Sequence, residues 1–448
     1  MTISLLEALG YDCGSLVLAI VGAGGKTTSM FRIARQLEKP VVLSTSTHLA
    51  IEQADLADRH FIIKNQSDLG QLFEGIGQQE VVLLSGEKTG DGRFTSPGLE
   101  MLNLIKSECI KKEIPFIIEA DGARTLPLKA PAEHEPAIPN WVKQVLVVAG
   151  LNGLGCSMDE KTVHRTDFFT SLSGLSRGEI ITPEALIRVF NHPNGGLKNI
   201  PPSASRALFL NQADDDFRLA QAKYIAEKCL PQYGTIATGS LLPEENRFGC
   251  EIDAVYLPIA SVILAAGGSH RLGRSKALFS WRGETLVHRA ARLALAAHLD
   301  PVIVVAGQDF QAIRSDLEGL DCQVVQNPNW EAGQSTSLKV GLEQLSERIG
   351  AVIFQVVDQP GLTVDLLQSL QELYHQTRAS IIQPQAAGSR ANPVLFDRRT
   401  FANLREIEGD VGGRAVFGKY HPLGLPWQDA GILMDLDTPE DLEKLRNL

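Results

Sequence analysis

Short apolar runs rich in valine and isoleucine recur along this chain, over residues 16–21, 41–43, 81–84, 116–118 and 145–148, and again over 262–265, 302–305 and 352–357. They are apolar at nearly every position rather than at alternate ones. Both faces of the strands they form must therefore be covered, as in a parallel sheet layered with helices. The stretches between them have helical period: Met30, Phe31, Ile33, Ala34 and Leu37 fall largely on one face of a helix predicted to start near Lys26. The fold class is α/β throughout.

At 448 residues the chain is long for one core, since a domain usually takes roughly 100 to 200 residues. Residues 241–260 lose helical period, and a new strand and glycine-rich turn follow at once. We expect two domains: an N-terminal P-loop-like parallel-sheet domain over 1–250 and a C-terminal Rossmann-like domain over 258–448. The glycine turns near 22 and 267 have flanks too different to be copies, so the chain reads as a fusion of two proteins.

Hydrophobic residues make up 44% and charged residues 21% of the chain, as in soluble globular proteins. No apolar run approaches the ~18 residues of a membrane span. The N-terminus has no basic region and carries Glu7 within its apolar stretch, unlike a signal peptide. A cytoplasmic protein without a membrane partner is expected. The six cysteines lack metal-ligand spacing and read as reduced thiols. A net charge of −11 argues against a nucleic-acid partner and confines phosphate-handling cations to clefts.

The segment Ser261-Val-Ile-Leu-Ala-Ala-Gly-Gly-Ser-His-Arg-Leu-Gly-Arg-Ser-Lys276 is a strand running into a glycine-rich turn. Gly267, Gly268 and Gly273 allow the backbone to approach a ligand, while Arg271 and Lys276 supply positive charge. The string resembles the L-A-A-G-x-S-x-R-x-G-x-x-K signature of MobA-like nucleotidyltransferases, in its MocA-like cytidylyltransferase form. Val356-Val-Asp358, the turn from Asn327 to Leu338, Gly409-Asp-Val-Gly-Gly-Arg414 and Asp435-Leu-Asp-Thr-Pro-Glu-Asp441 extend the resemblance toward the C-terminus. Ala391 and Asn392 depart from the family pattern.

The resemblance implies a nucleotide held by Ala265, Ala266, Gly267, Gly268, Ser269, Gly273 and Ser337. It implies Arg271 and Lys276 on the leaving pyrophosphate, and Mg²⁺ on Asp358 with Asp435 or Asp437. The L-A-A-G form, through Ala266, implies CTP.

In the N-terminal half, Ile20-Val-Gly-Ala-Gly-Gly-Lys-Thr-Thr28 follows a strand and opens a helix, the setting of a phosphate loop. A Walker A loop wants glycine where Ile20 stands; the G-x-x-G-K-T-T spacing looks instead like that of Mur-ligase-type ATPases. Gly22, Gly25, Lys26, Thr27 and Thr28 are the candidate ATP or GTP contacts. Thr27 is also a Mg²⁺ ligand candidate, with Glu119 and Asp121 at a neighbouring strand end. The proline-rich loop carrying Lys129, Glu133, His134 and Glu135 is either a substrate clamp or a surface crossover. Asn211-Gln-Ala-Asp214 resembles the N-K-x-D base-reading turn of GTPases, with Gln212 in place of lysine. Together with S-T-S-T-H (44–48) and V-H-R (163–165), these motifs resemble the YqeC family, an accessory group of selenium-dependent molybdenum hydroxylases.

The combined resemblance implies molybdenum cofactor maturation: cytidylyl transfer from CTP to molybdopterin cofactor, with a molybdenum hydroxylase as the possible recipient. A sugar- or alditol-phosphate nucleotidyltransferase shares the glycine loop and would differ in its acceptor. A chaperone delivering the finished dinucleotide would survive loss of Asp358. Oligomeric state is not legible.

Overall fold

The computed structural model describes residues 3–11, 16–90, 92–241, 251–267, 275–436, 438 and 440–441. It divides between Tyr256 and Leu257 into two compact units. The expected boundary spans that point, but the strand Ile252–Tyr256 lies wholly in the first unit. Among the described residues no helix is long and apolar enough to cross a membrane.

The first unit is built on a nine-stranded sheet. Its strands are β1 (Val17–Gly22), β2 (Val41–Thr45), β3 (Arg59–Ile62), β4 (Val81–Ser85), β5 (Phe116–Glu119), β6 (Gln144–Gly150), β7 (Ser205–Asn211), β8 (Thr235–Gly239) and β9 (Ile252–Tyr256). The spatial order is β9-β8-β7-β6-β1-β5-β2-β4-β3. All neighbours are parallel except β8 and β9. Alternate residues of the central strands enter different cores. Ala19, Val21, Val145 and Val147 pack with Phe169, Leu186 and Ile225, whereas Val42, Val82, Phe116 and Ile118 pack with Leu69, Leu102 and Ile105. This two-sided burial is why the runs lack alternation. Because β1 sits between β6 and β5, its carboxyl end opens where the chain order reverses, the place where open α/β sheets take ligands.

The second unit holds an eight-stranded sheet. Its strands are β10 (Ile259–Ala265), β11 (Val302–Ala306), β12 (Gln323–Gln326), β13 (Ala351–Val356), β14 (Ile381–Ala386), β15 (Val394–Asp397), β16 (Leu423–Pro426) and the two-residue Ser389–Arg390. β12, β11, β10 and β13 run parallel in that order, β15 is antiparallel to β13 and β14, and β16 is parallel to β14. The fold is thus α/β in both units. The antiparallel half of this second sheet is not announced by the parallel pattern of the sequence.

Candidate functional site

In the first unit the glycine loop leaves β1 and enters the helix Lys26–Gln36. Gly22, Gly24 and Gly25 all have positive φ. A Cβ on Gly24 would come within 2.3 Å of Gly150 N, and one on Gly22 within 2.1 Å of Val148 O, so the loop is pressed onto the end of β6. The inner N–H groups are already committed: Ala23 donates to Val148 O at 2.8 Å and Gly24 to Leu126 O at 3.1 Å. Donors for an anion therefore lie in the first helical turn, whose N–H groups have no intrahelical partner and whose cap, Gly25, supplies no side-chain bond.

Gly22, Gly25, Lys26, Thr27, Glu119 and Asp121 come together here. Lys26 Nζ donates to Gly22 O at 3.0 Å and lies 3.6 Å from Glu119 and 3.4 Å from Asp121. Thr27 donates to Glu119 at 3.2 Å and accepts from Gln53, a residue without a motif to mark it. Thr28 is exposed. Burial opposes the Lys26 charge, but the attraction of Asp121 and Glu119 outweighs it and raises its pKa. Burial pushes the Glu119 carboxyl up; Lys26 offsets part of this, and Asp121 adds to the rise.

The proline-rich loop resolves into two behaviours. Glu133 and His134 are exposed, whereas Lys129 and Glu135 are buried. Lys129 Nζ donates to Asp121 at 2.8 Å and to Glu135 at 2.9 Å, and Arg165 grips Glu135 with both guanidinium nitrogens. Arg165 is brought in because Val163–His164 pairs with Leu128–Lys129. Three cations and three carboxylates thus form one chain from Lys26 to Arg165. Burial opposes the Glu135 charge, yet hydrogen bonds from Arg165 and the charge of Lys129 hold its pKa down at about 2. Burial, then the charges of Arg165, Lys129 and Arg124, push His164 to about 4, so its imidazole is neutral. His48 is exposed, on the short strand His48–Ala50.

In the second unit a cleft of about 760 Å³ opens at the carboxyl ends of β10 and β13, lined by Ala265, Ala266, Gly267, Lys276, Ser337 and Asp358, with Trp330 and Asp410. Lys276 Nζ lies 3.5 Å from Asp358. Leu436 N donates to Asp358 O at 3.0 Å, and Gln359 donates to Asp435 at 2.9 Å, which brings the Asp435 segment beside Asp358. Asn327, 1% exposed, donates to Ser337 at 2.9 Å and Thr336 at 2.8 Å, fixing the first turn of the helix Gln334–Glu343. Gly333, at φ 112°, has no room for a Cβ beside Asp410 N at 2.5 Å. Gly268, Ser269, Arg271, Gly273 and Asp437 lie outside the described residues.

Hard carboxylate oxygens suit Mg²⁺, which keeps several waters and substrate oxygens rather than demanding an all-protein cage. Asp358 with Asp435 fits that donor set, as does Thr27 with Glu119 and Asp121, whose Oδ1 is buried without a hydrogen-bond partner. No group of three or more histidine, cysteine or acidic side chains poised for a metal occurs among the described residues.

The model of the YqeC protein family matches residues 18–167, and that of the MobA-like NTP transferase domain matches 261–423. The N-terminal half is 31% identical over 216 residues to the YqeC protein of Escherichia coli (strain K12), covering 47% of this chain and 80% of that protein. The C-terminal half is 30% identical over 207 residues to the nicotine blue oxidoreductase of Paenarthrobacter nicotinovorans, covering 42% and 96%. It is 22% identical over 185 residues to the molybdenum cofactor cytidylyltransferase of Escherichia coli (strain K12), covering 41% and 93%, and proteins called probable molybdenum cofactor guanylyltransferase match as well. The chain belongs to the YqeC family through its N-terminal half and carries a MobA-like nucleotidyltransferase domain in its C-terminal half.

Proposed function

We propose that the C-terminal unit transfers a cytidylyl group from CTP to the terminal phosphate of molybdopterin cofactor, and that the N-terminal unit binds a purine nucleoside triphosphate. The observation that carries the reading is the pairing of Lys276 with Asp358 across a cleft walled by Ala265, Ala266 and Gly267. In the reaction a phosphate-monoester oxygen of the acceptor attacks the α-phosphorus of CTP. The bond from that phosphorus to the bridging oxygen breaks, and pyrophosphate carries the electron pair away. The protein's part is positioning and charge neutralisation.

Lys276 balances charge on the departing pyrophosphate, a role shared with Arg271. Ser337 and the backbone from Ala265 to Gly267 hold the nucleoside, and Ala266 sets the preference for cytosine. Asp358 and Asp435 would hold Mg²⁺, which would neutralise triphosphate charge. The two units are taken as separate domains that work on different nucleotides in the cytoplasm, the finished cofactor passing to a molybdenum hydroxylase.

Incubation of the full chain with molybdenum cofactor, Mg²⁺ and each of the four nucleoside triphosphates, following pyrophosphate release, tests this. CTP should support the fastest release. Release with a sugar phosphate in place of the cofactor would point to the wrong acceptor, and no release with any nucleotide would remove the transferase reading.

A further inference from the structure

We propose that the N-terminal site selects guanine through the carboxylate of Asp214; this rests on reading residues 22–28 as a nucleotide site. Asn211-Gln-Ala-Asp214 turns off the carboxyl end of β7, two strands from β1 and on the edge where the glycine loop opens. Three hydrogen bonds fix the turn there. Asn211 Nδ2 donates to Gly24 O at 2.8 Å, Leu241 N donates to Asn211 Oδ1 at 3.2 Å, and Ala213 N donates to Gly239 O at 3.1 Å. A Cβ on Gly25 would come within 2.3 Å of Asn211 Nδ2, so turn and loop are in direct contact. Gln212 is held at φ 64°, a left-handed conformation that is strained for a non-glycine residue.

This rigid turn presents two acceptors with nothing to accept. Gln212 Oε1 and Asp214 Oδ1 are buried and have no hydrogen-bond partner, an arrangement that folded proteins rarely leave without a cause. Helix capping does not account for Asp214. Asp215 caps the helix Asp216–Cys229 by accepting from Arg218 N at 2.7 Å. The Arg218 guanidinium lies 3.3 Å from Asp215 but 3.8 Å from the other oxygen of Asp214.

Asp214, whose side chain is 22% exposed, is as a carboxylate an acceptor only, and guanine offers it two adjacent donors, N1–H and the exocyclic N2 amine. Adenine has an acceptor at N1 and no donor at C2. A nucleotide with its phosphates on the first turn of the helix Lys26–Gln36 and its base over the 211–214 turn would satisfy Asp214 only as a guanine. Binding adenine would leave the buried Oδ1 without a donor.

Calorimetric titration of the full-length protein with GTP, ITP, XTP and ATP in Mg²⁺ tests this, counting only the binding that Lys26→Ala weakens. GTP should bind about tenfold or more tighter than ATP. ITP should fall between them, because it keeps N1–H and lacks the amine. Asp214→Asn should weaken GTP and strengthen XTP, whose C2 carbonyl accepts from an amide; a variant that merely misfolds gains no ligand. Equal affinity for GTP and ATP in the wild type, or a GTP preference unmoved in a folded Asp214→Asn, overturns the guanine assignment while leaving the nucleotide site standing. Absence of any Lys26-dependent binding overturns both.

Discussion

Replacing Glu135 by glutamine removes one of three carboxylates from the charge chain and leaves Lys129 and Arg165 facing each other across a buried amide. The folded protein holds this carboxyl at about 2 against an ordinary 4.5. At about 1.4 kcal/mol for each tenfold change in proton affinity, that difference corresponds to about 3 kcal/mol of folding stability at neutral pH. The side chain is only 7% exposed, so solvent screening trims the figure modestly, to about 2–3 kcal/mol. Because the folded pKa lies below the unfolded one, the contribution is fully present above about 4.5 and is lost as pH falls toward 2. In differential scanning calorimetry of the full chain at pH 7, Glu135→Gln should lower the transition of the N-terminal unit by about 5–10 °C. The gap between wild type and variant should shrink to under about half by pH 3. A shift below about 1 °C at pH 7, or an undiminished one at pH 3, would show that Glu135 is not held by its cations.

Three further outcomes follow from the sites. Asp358→Ala should abolish pyrophosphate release while the melting profile stays that of wild type; turnover at the normal rate would remove the metal role assigned to this carboxylate. CTP should be used in preference to GTP, and Ala266→Gly should narrow that preference; equal use by the wild type would end the inference from Ala266. Lys26→Ala should weaken binding of a Mg²⁺-bound purine nucleotide by about 10- to 150-fold, leaving cytidylyl transfer intact, and unchanged affinity would return the loop to an ordinary turn.

The parallel strands were legible because two-sided burial writes itself into composition: Val17, Val41, Val81, Phe116 and Val302 each open a buried strand. Ile252–Tyr256 lies in the stretch that loses helical period, and nothing local in it announces the antiparallel pairing with Thr235–Gly239. The loops around Lys26 and Lys276 were found by glycine spacing, and their acidic partners by position at strand ends. What spacing cannot reveal is long-range pairing. Arg165 reaches Glu135 only because Val163–His164 lies beside Leu128–Lys129, and Gln53 meets Thr27 from a helix with no motif. The proline-rich loop stayed ambiguous for the same reason: burial of Lys129 and Glu135, and exposure of Glu133 and His134, depend on what folds over them.

The balanced charges around Lys26 have a consequence for how its site fills. A triphosphate that drew Lys26 away would leave Glu119 buried without its cation and Asp121 with Lys129 alone, a state costing several kcal/mol. A divalent ion entering alone would meet a lysine already in its place. Each penalty is relieved only by the other guest, so anion and cation are admitted as a pair. The pocket then behaves as a lock with two keys, and nucleotide titrated in the presence of a metal chelator should stay unbound at concentrations that saturate the protein in Mg²⁺.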